Sequence, residues 1–302
     1  MAQRLFVFGL GYSAGVLARR LVGEGWSVAG TRRAAGDLTA LEREGYAAFS
    51  FDRETALDAA GRKALREATH ILSSVPPDDA GDPVLDAYAA EFATAPSLAW
   101  AGYLSTTGVY GDTDGAWVDE NTPPRPTGPR GRRRVEAERA WLALAGAATP
   151  AHIFRLAGIY GPGRNALAQL RAGTARRIDK PGHQFSRIHV EDIAGVLAAS
   201  MARPRPGGIY NVCDDRPASG RAVIEFAAEL LDLDPPPLLA FEQAQLSEMA
   251  RSFYADRRLV RNDLIKKELG VGLAYPDYQA GLRALMAAGE CAANGASQTP
   301  SI

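Results

Sequence analysis

The first fifteen residues constrain this chain more than any other stretch. Arg4-Leu5-Phe6-Val7-Phe8 is a short apolar run that reads as a strand, and Gly9-Leu10-Gly11-Tyr12-Ser13-Ala14 follows it directly. Gly15 to Val22 then reads as a helix, with Val16, Leu17 and Leu21 at helical spacing. A strand, a glycine-rich turn and a helix in that order form the front half of a dinucleotide-binding βαβ unit. Gly9 allows the tight turn. Gly11 has no Cβ and lets a pyrophosphate approach the backbone, while Ala14 or Gly15 lets the helix pack close to the strand. The helix N-terminus adds free N–H groups and a partial positive charge for the phosphates.

A second strand, Ser27 to Gly30, ends in Thr31-Arg32-Arg33. The group that reads the adenosine ribose is expected about 20 residues past the glycines. An acid there would bind a 2′-hydroxyl. Arg32 and Arg33 suit a 2′-phosphate instead, through bidentate pairing, so NADP is favoured over NAD. Two solvated loop arginines are the plain alternative. A third strand, Ala47 to Phe51, runs to Asp52, which accepts from the adenine amino group or caps the next turn. A fourth strand, His70 to Val75, ends in the small residues Ser73 and Ser74, which leave room for a cofactor in the crevice.

Strands continue to alternate with helices: a helix at 84–92, a strand at 98–104, a loop rich in Pro, Gly, Asp and Thr at 112–129, a helix to about Leu144 and a strand at 151–156. That alternation implies a doubly wound parallel sheet, the NAD(P)-binding Rossmann arrangement. Past Tyr160 the pattern loosens. It reads as a short strand at 184–189, helices at 190–201 and 219–230, a strand at 209–212, and further helices at 243–249 and 278–288. A dinucleotide-binding domain over 1–160 with 186–212 is expected. A small α+β substrate domain would take 161–185 and 213–288, and a disordered tail 289–302.

Composition excludes several function classes. A net charge of −1 gives no global attraction to nucleic acid or membrane. Cys213 and Cys291 are far apart, which suits a reducing, cytoplasmic setting. The four histidines form no zinc pattern, so no metal site is expected. No run approaches the ~20 apolar residues of a membrane span, and Leu5 to Phe8 is too short for the core of a signal peptide. The expected partner is a small-molecule substrate, bound by a monomer or homodimer.

Four stretches, in order, resemble the extended short-chain dehydrogenase/reductase superfamily of NAD-dependent epimerases and dehydratases. They are Gly9 to Ala14, Ser105-Thr106-Thr107-Gly108-Val109-Tyr110-Gly111, Arg155-Leu156-Ala157-Gly158-Ile159-Tyr160-Gly161-Pro162-Gly163-Arg164, and Arg187-Ile188-His189-Val190-Glu191-Asp192-Ile193-Ala194. The resemblance implies an active site in a cleft between the two domains. It implies Thr106 as the residue that orients the substrate oxygen. It also implies Tyr160, Arg164, Arg187 and His189 on the substrate side, although His189 reads more readily as a hydrogen-bonded structural histidine.

The superfamily's proton-transferring Tyr-x-x-x-Lys should lie about twenty residues past Tyr110. Arg130 and Arg134 stand in those two places. Arginine stays protonated at working pH and is a poor acid or base, but it binds carbonyls, riboses and phosphates. The chain therefore resembles the atypical branch, which keeps the fold and loses the pair. Tyr110 is a candidate replacement proton donor or a tyrosine packed at a strand end. Two activities follow as expectations. One is an NADP-binding oxidoreductase or epimerase-like enzyme for a small polar or phosphorylated metabolite, such as a sugar nucleotide. The other is a catalytically inactive NADP-binding redox sensor or regulatory protein. A scaffold that binds no cofactor is a third.

Overall fold

The computed structural model describes residues 2–33, 38–95, 97–144 and 150–289. The N-terminal half alternates β1 (Arg4–Phe8), α1 (Tyr12–Gly23), β2 (Ser27–Arg32), α2 (Leu38–Arg43), β3 (Ala47–Ser50), α3 (Ala59–Arg66), β4 (His70–Ser73) and α4 (Pro83–Ala93). Then come β5 (Trp100–Thr106), a 3-10 turn over Thr107–Tyr110, β6 (Trp117–Val118), α5 (Pro129–Ala143), β7 (Ala151–Leu156) and β8 (Gly158–Tyr160). The rest is α6 (Ala166–Arg171), β9 (Arg177–Asp179), β10 (Arg187–His189), α7 (Val190–Ala202), β11 (Ile209–Val212) and α8 (Gly220–Leu230). It closes with β12 (Leu238–Ala240), α9 (Glu248–Ala255), β13 (Leu259–Val260), α10 (Asp263–Leu269) and α11 (Tyr278–Ala287).

Seven of these strands form one parallel sheet in the order β11-β7-β5-β4-β1-β2-β3. The chain winds outward from β1 through β2 to β3, then crosses back to β4 on the other side of β1. The point where strand order reverses therefore lies between β1 and β4, and a crevice opens there beyond the carboxyl ends of the strands. This is the Rossmann arrangement that the alternation implied.

The strands are apolar on both sides because both faces are covered. In β1 the side chains alternate: Leu5 and Val7 join a cluster with α1 and α7, while Phe6 and Phe8 join one with α3, α4 and α5. The second face is an aromatic layer in which Phe8 packs on Phe51 at 5.1 Å and on Tyr88 at 5.5 Å. A third cluster gathers Tyr160, Leu167, Val223, Phe226, Tyr278 and Leu282 from β8, α6, α8 and α11.

Several elements differ from expectation. Helix α1 begins at Tyr12 rather than Gly15, because the turn is complete at Gly11 and nothing after it resists helical geometry. Strand β5 runs two residues later than read, so Ser105 and Thr106 lie within it. The helix expected at 243–249 is a 3-10 turn at Phe241–Gln243 followed by α9, which Ser247 caps. The loop at 112–129 contains β6, which pairs with β13. Residues around β13 and α10, assigned above to the second domain, place Val260, Ile265 and Leu269 in the core against α7. The 290–302 part of the expected tail, with Cys291, lies outside the described residues. Cys213 is buried and free. No described helix is long and apolar enough to cross a membrane, and no group of potential metal ligands occurs among the described residues.

Candidate functional site

The glycine loop is pinned from both flanking strands. The Gly9 amide donates to Thr31 Oγ1 at 3.0 Å, and the Leu10 amide donates to the Thr31 carbonyl at 2.8 Å. From β4, the Ser74 hydroxyl donates to the Gly9 carbonyl. Gly9 has φ +78°, and a Cβ there would lie 2.8 Å from Ser74 Oγ, so both backbone and packing require glycine. Gly11 serves space instead: a Cβ on it would meet nothing nearer than the Gly9 carbonyl, at 3.8 Å.

Gly11 is the N-cap of α1 and brings no side chain to its amides, and no acid stands in the first turn. Tyr12, Ser13 and Ala14 form that turn, aimed at the crevice. Ser73 lies at the end of β4 with its Oγ fully buried and without a hydrogen-bond partner. A bare helix N-terminus and an open approach fit a dinucleotide phosphate. Leu10 contributes backbone only, because its side chain is buried against Gly30.

Beside this loop is a recess of about 250 Å³ whose walls include Gly11, Tyr12, Arg19, Arg32 and Glu44. The Arg32 Nε donates to the Leu10 carbonyl at 3.3 Å, which turns its guanidinium along the loop. Glu44 faces Arg19 at 3.5 Å. Arg33 is exposed just past β2. Asp52 takes the turn alternative: its Oδ1 accepts from the amides of Glu54 and Thr55 at 3.0 and 2.8 Å.

Across the sheet, Thr106 ends β5. Its Oγ1 accepts from the Gly108 amide at 3.1 Å, leaving its own O–H as a donor. The arginine run divides. Arg134 donates to the Leu104 carbonyl at 2.6 Å and to the Tyr103 hydroxyl at 3.0 Å, and so sits beside the end of β5. Arg133 pairs with Asp79, Arg132 donates to the Thr127 carbonyl, and Arg130 is exposed.

Tyr110 does not replace the missing proton donor. It is 1% exposed, and its hydroxyl donates to Asn211 Oδ1 at 2.7 Å and accepts from Arg155 at 2.9 Å. Burial pushes it up to about 12. It belongs to a buried network in which Arg155 pairs with Glu138 at 2.8 Å and Ser105 donates to Glu138 at 2.6 Å. Three of the four substrate-side candidates likewise make contacts within the fold, although the buried His189 Nε2 has no hydrogen-bond partner. Tyr160 is buried in the third cluster, where its hydroxyl donates to the Asp277 carbonyl at 3.3 Å. His189 caps α7, accepting from the Glu191 amide at 3.2 Å, and its ring lies 3.9 Å from that of Tyr275. Burial pulls it down to about 4. Arg187 donates to the carbonyls of Phe185 and Ala218 at 2.9 and 2.7 Å. Arg164 is exposed, with its guanidinium 6.0 Å over the Tyr12 ring, and the Tyr12 hydroxyl donates to the Pro162 carbonyl at 2.9 Å.

The chain is similar over most of its length to several known proteins. A functionally unknown conserved protein from Silicibacter pomeroyi DSS has a solved structure and is 51% identical to it. The match covers 96% of this chain and all of the other, with a TM-score of 0.86. A family model described as the NAD dependent epimerase/dehydratase family matches residues 91–213. Protein YeeZ of Escherichia coli K12 is 28% identical over 285 residues, covering 91% of this chain and 97% of that one. The dTDP-glucose 4,6-dehydratase of Bacillus anthracis, solved in complex with NAD, is 16% identical with a TM-score of 0.73. It covers 95% of this chain and 97% of its own, and shares the fold.

One residue near Thr106 was missed in the sequence. Arg258 comes from the loop before β13 and donates to the Gly111 carbonyl at 3.1 Å. Its Nη2 lies 3.9 Å from where a Gly108 Cβ would stand, and Thr106 Oγ1 lies 3.4 Å from the same point. Asp256 pairs with it at 3.0 Å and accepts from Thr127 at 2.8 Å. Nothing in Asp256-Arg257-Arg258 marks it as a cleft residue, because its neighbours are more than a hundred positions away.

Proposed function

We propose that the protein binds NADP at the Gly9–Ala14 loop and acts as an oxidoreductase or epimerase-like enzyme on a small polar or phosphorylated metabolite. The bare N-terminus of α1, at the point where strand order reverses, carries this reading. Its residues fit the pyrophosphate, with Arg32 and Arg33 beside the ribose and Ser73 and Ser74 at the end of β4. The NAD complex of the Bacillus anthracis dehydratase supports a nicotinamide cofactor, and its dTDP-glucose chemistry supports a sugar nucleotide as one substrate class. The dinucleotide unit is assigned to 1–160 with 186–212, and the substrate unit to 161–185 and most of 213–288.

The bound nicotinamide would supply hydride transfer. The chain's own part is electrostatic. The Thr106 O–H donates to the reacting oxygen of the substrate, and the guanidinium groups of Arg134 and Arg258 stabilise negative charge developing nearby. A guanidinium is a poor general acid, so the substrate oxygen exchanges its proton with solvent.

The sensor reading is favoured by one observation: the hydroxyls of Tyr110 and Tyr160 both serve buried contacts. Titration with NADPH and NADH separates the cases. NADPH should bind the more tightly, and Arg32→Ala should weaken NADPH by about tenfold while leaving NADH unchanged. Absorbance change at the reduced-nicotinamide band, across sugar nucleotides and carbonyl compounds, identifies an enzyme. Tight binding without turnover and with a co-purifying partner identifies a sensor.

A further inference from the structure

The recess beside the glycine loop holds more charge than a ribose hydroxyl can use. Two guanidinium groups line it, Arg32 from the end of β2 and Arg19 from α1, together with Glu44 from the turn after α2. Arg32 is fixed, because its Nε donates to the Leu10 carbonyl at 3.3 Å. Arg19 comes from the other wall. Its Nη1 lies 3.7 Å from where a Gly15 Cβ would stand, so the side chain folds back along α1 toward the helix N-terminus.

Little holds Arg19 in place. Its Nη1 donates to Glu44 Oε2 at 3.5 Å, at the long limit of a hydrogen bond, and the two side chains are 58% and 44% exposed. An ion pair that is long and solvated contributes little and is readily exchanged for a better one. Tyr46 also lines the recess. Burial and the neighbouring Glu44 carboxylate push its phenol up, so it presents a neutral O–H and adds no second negative charge. The recess thus sets two guanidinium groups against one loosely held carboxylate. A phosphate accepts from guanidinium groups in pairs of parallel hydrogen bonds and carries more charge than Glu44 does, so it is the stronger partner for Arg19. An uncharged 2′-hydroxyl is the weaker one.

We propose that Arg19 is a second reader of the NADP 2′-phosphate, and that Glu44, its counter-ion in the unliganded chain, sets how strongly the site prefers NADPH to NADH. Arg19 leaves Glu44 for the phosphate and stays with it when NADH binds. The inference rests on the NADP reading above and adds the competition that tunes it. The test is fluorescence titration of the full chain with NADPH and with NADH, for the wild type, Arg19→Ala and Glu44→Gln. Thermal unfolding of each variant verifies that it folds. Arg19→Ala should weaken NADPH about tenfold and leave NADH unchanged. Glu44→Gln keeps the size of the side chain, frees Arg19, and should tighten NADPH about threefold with NADH again unchanged. A structural role for Arg19 would weaken both nucleotides alike, and that result overturns the proposal. So does an Arg19→Ala variant with wild-type NADPH affinity, or a Glu44→Gln variant that binds NADPH no more tightly than the wild type. A wild-type chain that binds neither nucleotide, or both equally, overturns the NADP reading and this inference together. A wild-type preference for NADPH that survives Arg19→Ala overturns this inference alone.

Discussion

The two flanks of the sheet treat polar groups in opposite ways. At the end of β1 and β4, the chain withholds side chains: Gly11 leaves the α1 N-terminus bare, and Ser73 keeps an unspent hydroxyl. Beyond β5 it spends most of them: Ser105, Tyr110, Glu138, Arg155 and the Asn211 Oδ1 satisfy one another in a buried network, with the Asn211 Nδ2 left without a partner. Unsatisfied backbone donors need an outside partner, whereas a closed network needs none. On the proposed function the first region binds and the second holds, and Thr106 stands at the border between them.

The comparison breaks most readily at Glu138. Glu138→Ala leaves the Arg155 guanidinium buried without its carboxylate, which should cost about 3–5 kcal/mol of stability. Urea unfolding measures it, and a loss near zero would show that water enters the network. Next is Gly11→Val. A side chain there points into open space, so the fold should survive while NADPH affinity falls by about a hundredfold, close to 2.7 kcal/mol. Retained affinity would mean the cofactor does not approach this loop. Tyr110→Phe should be milder, at about 1–2 kcal/mol of stability with NADPH affinity unchanged. A loss of turnover with stability intact would instead restore Tyr110 as a proton donor.

The gentlest test is a slope. Burial pulls His183 and His189 down to about 4, below the ~6.5 of an unfolded chain. Between these values the unfolded state binds protons that the folded state refuses, so both histidines make stability fall as pH drops from about 6.5 to about 4. His183→Phe should flatten that decline in pH-dependent unfolding. An unchanged slope would show that His183 is solvated.

The geometry of the glycine loop was readable in the sequence for a physical reason. A left-handed backbone at Gly9 and a close approach at Gly11 admit few residues, so the requirement is written in residue type and spacing. The order of strands and helices was readable because period and composition are local properties. The holding region was not. Arg155 and Glu138 are 17 residues apart and Tyr110 and Asn211 are 101 apart, and only the sheet brings them together. The same limit hid Arg258 beside Thr106 and the pairing of two-residue β6 with β13. Tyr160, His189 and Arg187 show the converse. A family-like motif located them, yet their contacts are with carbonyls, amides and rings of the fold itself.

The central claim is that the Gly9–Ala14 loop holds a nicotinamide dinucleotide carrying a 2′-phosphate. Titration of the full chain with NADPH, followed by nicotinamide fluorescence and repeated with NADH, tests it directly. The account predicts saturable one-to-one binding that is tighter for NADPH and lost in Gly11→Val. Absence of binding by either nucleotide, or equal binding in Gly11→Val, would contradict it.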